Sequence, residues 1–296
     1  MEWFGFLKRR GRAEGPKVKE GRERPPKVKA GIAFGAGGTR GFAHIGVIRA
    51  LEENGIDFPF VTGCSVGSIA AALYAYGLNS REMEEFFTQI RYSDIKSSRL
   101  FFVPSNSKNI ENMVRRVIGE VRFDQLTKPL CISAVDLKTG EEIVVNFGEV
   151  ARACAASCAV PGIFTPVEIE NYRFIDGGMA NPIPADVLRL MGAEKVVSVD
   201  VHSKRGPGTD STKIVDILKA SFEIGMKATA IKGIVNSDVL IQPDCHRYSQ
   251  LKLENSREMI EEGYRAAMEK MDEIKALMGI RPDRLLGKEK LTESHS

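Results

Sequence analysis

Ser65 stands in Gly63-Cys64-Ser65-Val66-Gly67, a GxSxG pattern. That spacing belongs to a tight strand-to-helix turn. The central serine is held outward in a strained conformation, and the flanking Gly63 and Gly67 leave room for neighbouring backbone. The chemistry on offer is attack by a hydroxyl on a carbonyl carbon, helped by the partial positive charge of the helix N-terminus that follows. A single GxSxG arises by chance, so its setting decides its weight. Here the apolar run Phe58 to Thr62 precedes it, and the Ala- and Leu-rich run Ser68 to Tyr76 follows and ends at Gly77. Those are the strand and buried helix that the turn requires.

A second glycine-rich stretch, Phe34-Gly35-Ala36-Gly37-Gly38-Thr39-Arg40-Gly41, lies between the apolar run Val28 to Phe34 and Phe42, Ile45, Val47, Ile48 and Leu51 at roughly helical spacing. A dinucleotide loop would need GxGxxG with an acid about twenty residues on. Counted from Gly35, Arg40 fills the third glycine slot, and the next strand ends in Gly63-Cys64-Ser65 without an acid. A phosphate loop would end in GK[ST], which is absent here. What remains is a run of backbone amides suited to the negative oxygen of a tetrahedral intermediate.

The third stretch is Asp176-Gly177-Gly178, which follows the apolar strand Tyr172 to Ile175. An isolated Asp-Gly is ordinarily a turn. Two glycines beside a carboxylate also let it approach another side chain closely. His202 follows the apolar run Lys195 to Val201, so Ser65, Asp176 and His202 occur in the chain order of an α/β-hydrolase triad, an arrangement open beside a direct Ser-Asp pair. His44 reads as a helix-packing histidine. Cys154 and Cys158 are one helical turn apart but have no second ligand pair, so they read as small core residues, and no metal or cofactor is expected.

GAGGTRG, GCSVG and DGG, in this order, resemble the glycine-rich oxyanion loop, nucleophile turn and catalytic Asp motif of patatin-like phospholipases, over residues 29 to 201. The resemblance implies an α/β fold, a three-layer α/β/α sandwich with a mostly parallel central sheet. It also implies a Ser-Asp dyad and hydrolysis of acyl esters in phospholipids, lysophospholipids or neutral lipids. It assigns Ser65 as nucleophile, Asp176 as base and Gly37, Gly38, Thr39 and Arg40 as the oxyanion loop, with Gly37 and Gly38 as donors and Arg40 as support. Gly63, Gly67, Gly177 and Gly178 complete the motifs, and Ala36 stands where many members have glycine. Acyl transfer to an alcohol, or a regulatory protein that kept only the fold, would use the same scaffold.

The elements that must position these groups alternate strand and helix, the signature of a parallel sheet. Strands are expected at Leu130 to Val135, Glu142 to Phe147, Lys195 to Val201 and Val239 to Gln242, with helices at Val150 to Cys158, Ala185 to Leu190 and Ser256 to Leu277. Between Asn79 and Thr127 the pattern lapses around Leu100-Phe101-Phe102-Val103-Pro104, an apolar cluster suited to a lid or an acyl-chain wall.

With 296 residues, 43% of them apolar, the chain can bury one large core. Residues 1 to 29 hold ten Lys or Arg against four Glu, a net +6, so the remainder of a +3 chain carries −3. The expected organisation is a flexible basic leader over 1–27, a hydrolase domain over 28–280 and a charged tail over 281–296. An acidic globular part argues against nucleic acid as a partner. Trp3, Phe4, Phe6 and Leu7 beside Lys8-Arg9-Arg10 make residues 1–12 a candidate for peripheral membrane contact. Five cysteines without a CxxC pair fit a reducing, cytoplasmic setting. The uncharged run Phe58 to Ser80 is broken by Pro59, Gly63 and Gly67, and no membrane span is expected.

Overall fold

The structure, a computed structural model, describes residues 28–90, 104–202, 210–248 and 254–280. The leader, the tail and the apolar cluster at 100–103 lie outside the described residues. In chain order the elements are β1 (Ala30–Phe34), α1 (Phe42–Glu53), β2 (Phe60–Cys64), α2 (Val66–Tyr76), α3 (Ser80–Thr88), α4 (Lys108–Ile118), β3 (Leu130–Asp136), β4 (Glu142–Val145), α5 (Val150–Ser157), β5 (Val167–Ile169), β6 (Tyr172–Asp176), α6 (Ala185–Leu190), β7 (Lys195–Val199), α7 (Ile214–Thr229), α8 (Ile231–Val235), β8 (Val239–Ile241), α9 (Ser256–Glu269) and α10 (Met271–Leu277).

The eight strands form one sheet in the order β5-β6-β3-β2-β1-β7-β8, with β4 also paired to β3. The run β3-β2-β1-β7-β8 is parallel, and β4, β5 and β6 pair antiparallel, so the sheet is mostly parallel, as the motif pattern implies. A central parallel strand must be apolar on both faces because helices cover both. β1 shows this residue by residue. Ala30, Ile32 and Phe34 enter the large core beside α1 and α2. Ala33 turns the other way, into a second cluster with Ile183, Leu188 and Val196. Period-two alternation therefore feeds a helical layer on each side, which is the three-layer α/β/α sandwich.

α9 locks onto α1 at a glycine crossing. A Cβ on Gly46 would lie 1.8 Å from the Ile260 carbonyl oxygen, and one on Gly263 would lie 1.9 Å from that of Ala43. Only glycine at both positions lets the two backbones touch. The expected helix Ser256 to Leu277 breaks at Lys270, whose N–H turns back to the Ala267 carbonyl in a tighter three-residue loop. The described residues on either side of 91–103 are more regular than their hydropathy suggests. Asn79 and Glu82 form a reciprocal capping box that starts α3, and α4 follows with Ile110, Met113 and Val114 buried.

Candidate active site

The register of β3 explains how Ser65 and Asp176 meet. Ile132 and Ser133 pair with both β2 and β4, whereas Ala134 and Val135 pair with both β4 and β6. A strand has only two edges, so β4 occupies one and β2 and β6 share the other, end to end. β2 runs parallel to β3 and β6 antiparallel, so they point at one another. Cys64 lies opposite Ser133 and Asp176 opposite Ala134, which leaves Ser65 and the Asp176 carboxylate facing across the gap. The Ser65 hydroxyl donates to Asp176 Oδ2 at 2.6 Å.

Ser65 has φ 51° and ψ −129°, a left-handed conformation that side chains avoid and that costs about 1–3 kcal/mol unless its surroundings enforce it. They do. A Cβ on Gly63 would lie 2.4 Å from the Gly67 carbonyl oxygen, and one on Gly67 would lie 2.1 Å from that of Phe34. The turn is therefore closed by backbone on both sides. Ser65 N–H donates to Ser157 Oγ at 2.8 Å, and the Ser157 hydroxyl donates to the Ser133 carbonyl at 2.6 Å, a strut from α5 to β3 beneath the turn. Ser68 Oγ donates to the Ser65 carbonyl at 2.6 Å.

Asp176 is fully buried, and burial pushes its carboxyl up to about 6 from 3.8, against the Ser65 hydroxyl, the Gly178 amide and the weaker pull of His202. Its Oδ1 accepts the Gly178 N–H at 2.8 Å. A Cβ on Gly177 would lie 2.2 Å from the Ser133 carbonyl oxygen, so glycine there is what seats the Asp turn against β3.

The glycine loop is packed onto the same turn. Gly35 N–H donates to the Val199 carbonyl and Ala36 N–H to that of Pro182, both at 2.9 Å. The chain then leaves the sheet through extended Gly37 and left-handed Gly38, φ 59°, into a short 3-10 turn over Gly38–Gly41. A Cβ on Gly41 would lie 2.4 Å from the Val66 side chain, so this turn abuts the residue after Ser65. Ala36 is buried with Cys64, Met226 and Phe222. Thr39 is half-buried, and Arg40 is buried with its Nε donating to the Tyr248 carbonyl at 3.1 Å. His44 is wholly buried and pairs through Nε2 with the Gly35 carbonyl at 2.8 Å. Burial lowers its pKa to about 4, so the ring is neutral and Nε2 is the donor. It packs in the helix as expected and also clamps the loop, a role that only the folded chain reveals.

His202 goes elsewhere. Its Nδ1 lies 3.0 Å from Asp200 Oδ1, and its own backbone N–H donates to the same oxygen at 2.9 Å. Nε2 is buried and has no partner among the described residues. The Ser65 hydroxyl reaches Asp176 with no imidazole between them. All five cysteines are buried and free, and among the described residues no group of three or more His, Cys, Asp or Glu could hold a metal ion. No helix among them is long and apolar enough to cross a membrane.

Comparison with known proteins places the chain in a family. An uncharacterised NTE family protein of Mycobacterium tuberculosis is 31% identical over 191 residues, 62% of this chain and 52% of that one. A lysophospholipase of Mycosarcoma maydis is 30% identical over 185 residues, 60% of this chain and 10% of that one. The chain thus spans about half, or far less, of the length of these relatives. The crystal structure of VipD from Legionella pneumophila aligns with TM-score 0.46 at 14% identity, covering 84% of this chain and 67% of that chain. The sequence model described as patatin-like phospholipase matches residues 32–189, more than half of the chain and both partners of the Ser65–Asp176 hydrogen bond. By that match the chain belongs to the patatin-like phospholipase family.

Proposed function

We propose that the protein is a serine acyl-ester hydrolase that acts on lipids through a Ser65–Asp176 dyad. The observation that carries this reading is the 2.6 Å hydrogen bond from the Ser65 hydroxyl to a carboxylate that burial has made more basic than usual. As Ser65 Oγ attacks the ester carbonyl carbon, its proton passes to Asp176. The carbonyl oxygen becomes an oxyanion that the Gly37 and Gly38 amides are suited to receive, a contribution of about 3 kcal/mol per donor in comparable sites. Asp176 returns the proton to the departing alkoxide, which leaves as an alcohol with the acyl group on Ser65. Water then gives a proton to Asp176 as its oxygen attacks the acyl carbon, the bond to Ser65 Oγ breaks, and Asp176 returns the proton to Ser65 as the carboxylic acid departs.

The strained Ser65 backbone and the helix N-terminus of α2 both favour an activated oxygen on this buried serine. The family and the name of the fungal relative support a lysophospholipid or phospholipid as the ester. The test is release of fatty acid from lysophosphatidylcholine together with labelling by a fluorophosphonate, in which Ser65 Oγ displaces fluoride from phosphorus. Both activities should be present in the unsubstituted chain and absent in Ser65→Ala. Equal labelling of the two proteins would remove the assignment.

A further inference from the structure

Single exposed apolar side chains are ordinary on a protein surface, but a continuous stripe of them is not. Ile214, Ile217, Ile224, Ile231 and Val235 are between 45% and 72% exposed. α7 passes into α8 through Ala230, which keeps helical angles of φ −60° and ψ −24°. Its N–H bonds to the Met226 carbonyl at 2.9 Å, and its carbonyl accepts from Ile234 at 3.0 Å. At helical spacing these five side chains fall within an arc of about 100°. The opposite face is the one that packs inward: Phe222 and Met226 lie on Ala36 and Cys64, and Gly233 lies against Ile183.

Exposed Lys213 and Lys227 border the stripe, whereas Lys232 beside it is paired with Glu142 and Asp186. An apolar face flanked by lysines is the pattern of a helix that lies in the interface of an anionic bilayer, with its ammonium groups among the headgroups. The inner face of the same helix touches the catalytic turn, since a Cβ on Gly178 would lie 2.5 Å from Met226 Sδ.

We propose that the α7–α8 stripe docks on an anionic lipid surface, holding the site about one helix diameter, 10 Å, from its substrate. The inference rests on the lipid acyl-hydrolase reading and names the surface from which the substrate is taken. The test is cosedimentation of the full chain, in a Ser65→Ala background, with phosphatidylcholine vesicles made with and without phosphatidylglycerol. Binding is expected only with phosphatidylglycerol, and Ile217→Glu with Ile224→Glu should weaken it by about tenfold or more.

Circular dichroism and the unfolding midpoint check that this pair still folds. Should it not fold, Ile224→Cys carrying an environment-sensitive fluorophore reports the same contact by a blue shift on vesicles, since the native cysteines are all buried. Undiminished binding by the substituted chain would overturn the proposal. So would binding that is lost only when residues 1–27 are deleted, or a dimer of the unsubstituted chain that the two substitutions dissociate, which would make a second copy the occupant. Stripe-dependent binding without turnover of any ester would sink the proposed reaction instead, and turnover of a soluble ester without stripe-dependent binding would sink only the docking.

Discussion

Asp176 ends β6 and Asp200 follows β7, both are buried, and their carboxyls are tuned in opposite directions. Burial raises Asp176 to about 6, and among the described residues the Ser65 hydroxyl and the Gly178 amide are its donors. Burial also acts to raise Asp200, but it is outweighed by three donors, the His202 ring, the His202 amide and Gln242 Nε2, and Asp200 falls below the ordinary carboxylate range. On the proposed reading, the number of donors separates a base from an anchor. A carboxylate with its lone pairs satisfied holds structure, and one left short of donors takes a proton.

Amides in place of the two carboxyls should separate their roles most strongly. Asp176→Asn should lower kcat/KM on a soluble ester by about 10⁴-fold, as loss of a group that acts as a unit with its nucleophile does elsewhere. Asp200→Asn should cost about tenfold at most, and His202→Ala should behave in the same way, with the losses appearing in stability, about 1–3 kcal/mol for a buried polar group left without its partner. Equal losses at the two aspartates would erase the distinction.

Stability should move the other way. A folded pKa raised to about 6 means that Asp176 favours folding fully below its unfolded pKa near 4, and that this contribution is lost as pH rises through 6. Holding the ionised form in the fold at pH 8 therefore costs about 3 kcal/mol, two pKa units. Asp176→Asn should recover part of that, raising the unfolding midpoint at pH 8 more than at pH 5. A smaller effect is expected at the strut beneath the turn. Ser157→Ala leaves the Ser65 amide without its acceptor and should lower stability by about 1–3 kcal/mol, with a modest fall in kcat, read from urea unfolding and ester turnover.

What the sequence could disclose follows the same division. Ser65, Asp176 and the glycine loop are legible because each needs glycines at fixed offsets, and the structure shows why: backbone carbonyls stand where Cβ atoms at Gly63, Gly67 and Gly177 would go. β1, β2 and β7 are legible as apolar runs because both of their faces are covered. Ser157 is not. It is one small polar residue in an Ala-rich helix, and its partners Ser65 and Ser133 are remote in sequence. The His44 clamp likewise depends on how α1 lies against Gly35. α3 carried a readable signal in Asn79 and Glu82, whereas α7 hid because its apolar residues line both an inner and an outer face.

On the proposed reading, buried Asp176 activates Ser65 without an imidazole. The most direct measurement is the pH dependence of fluorophosphonate labelling in the unsubstituted chain and in His202→Ala. Labelling should rise with pH through a single transition near 6 in both proteins, set by Asp176. A transition that disappears with His202, or one that lies near the ordinary aspartate value of about 4, would contradict the account.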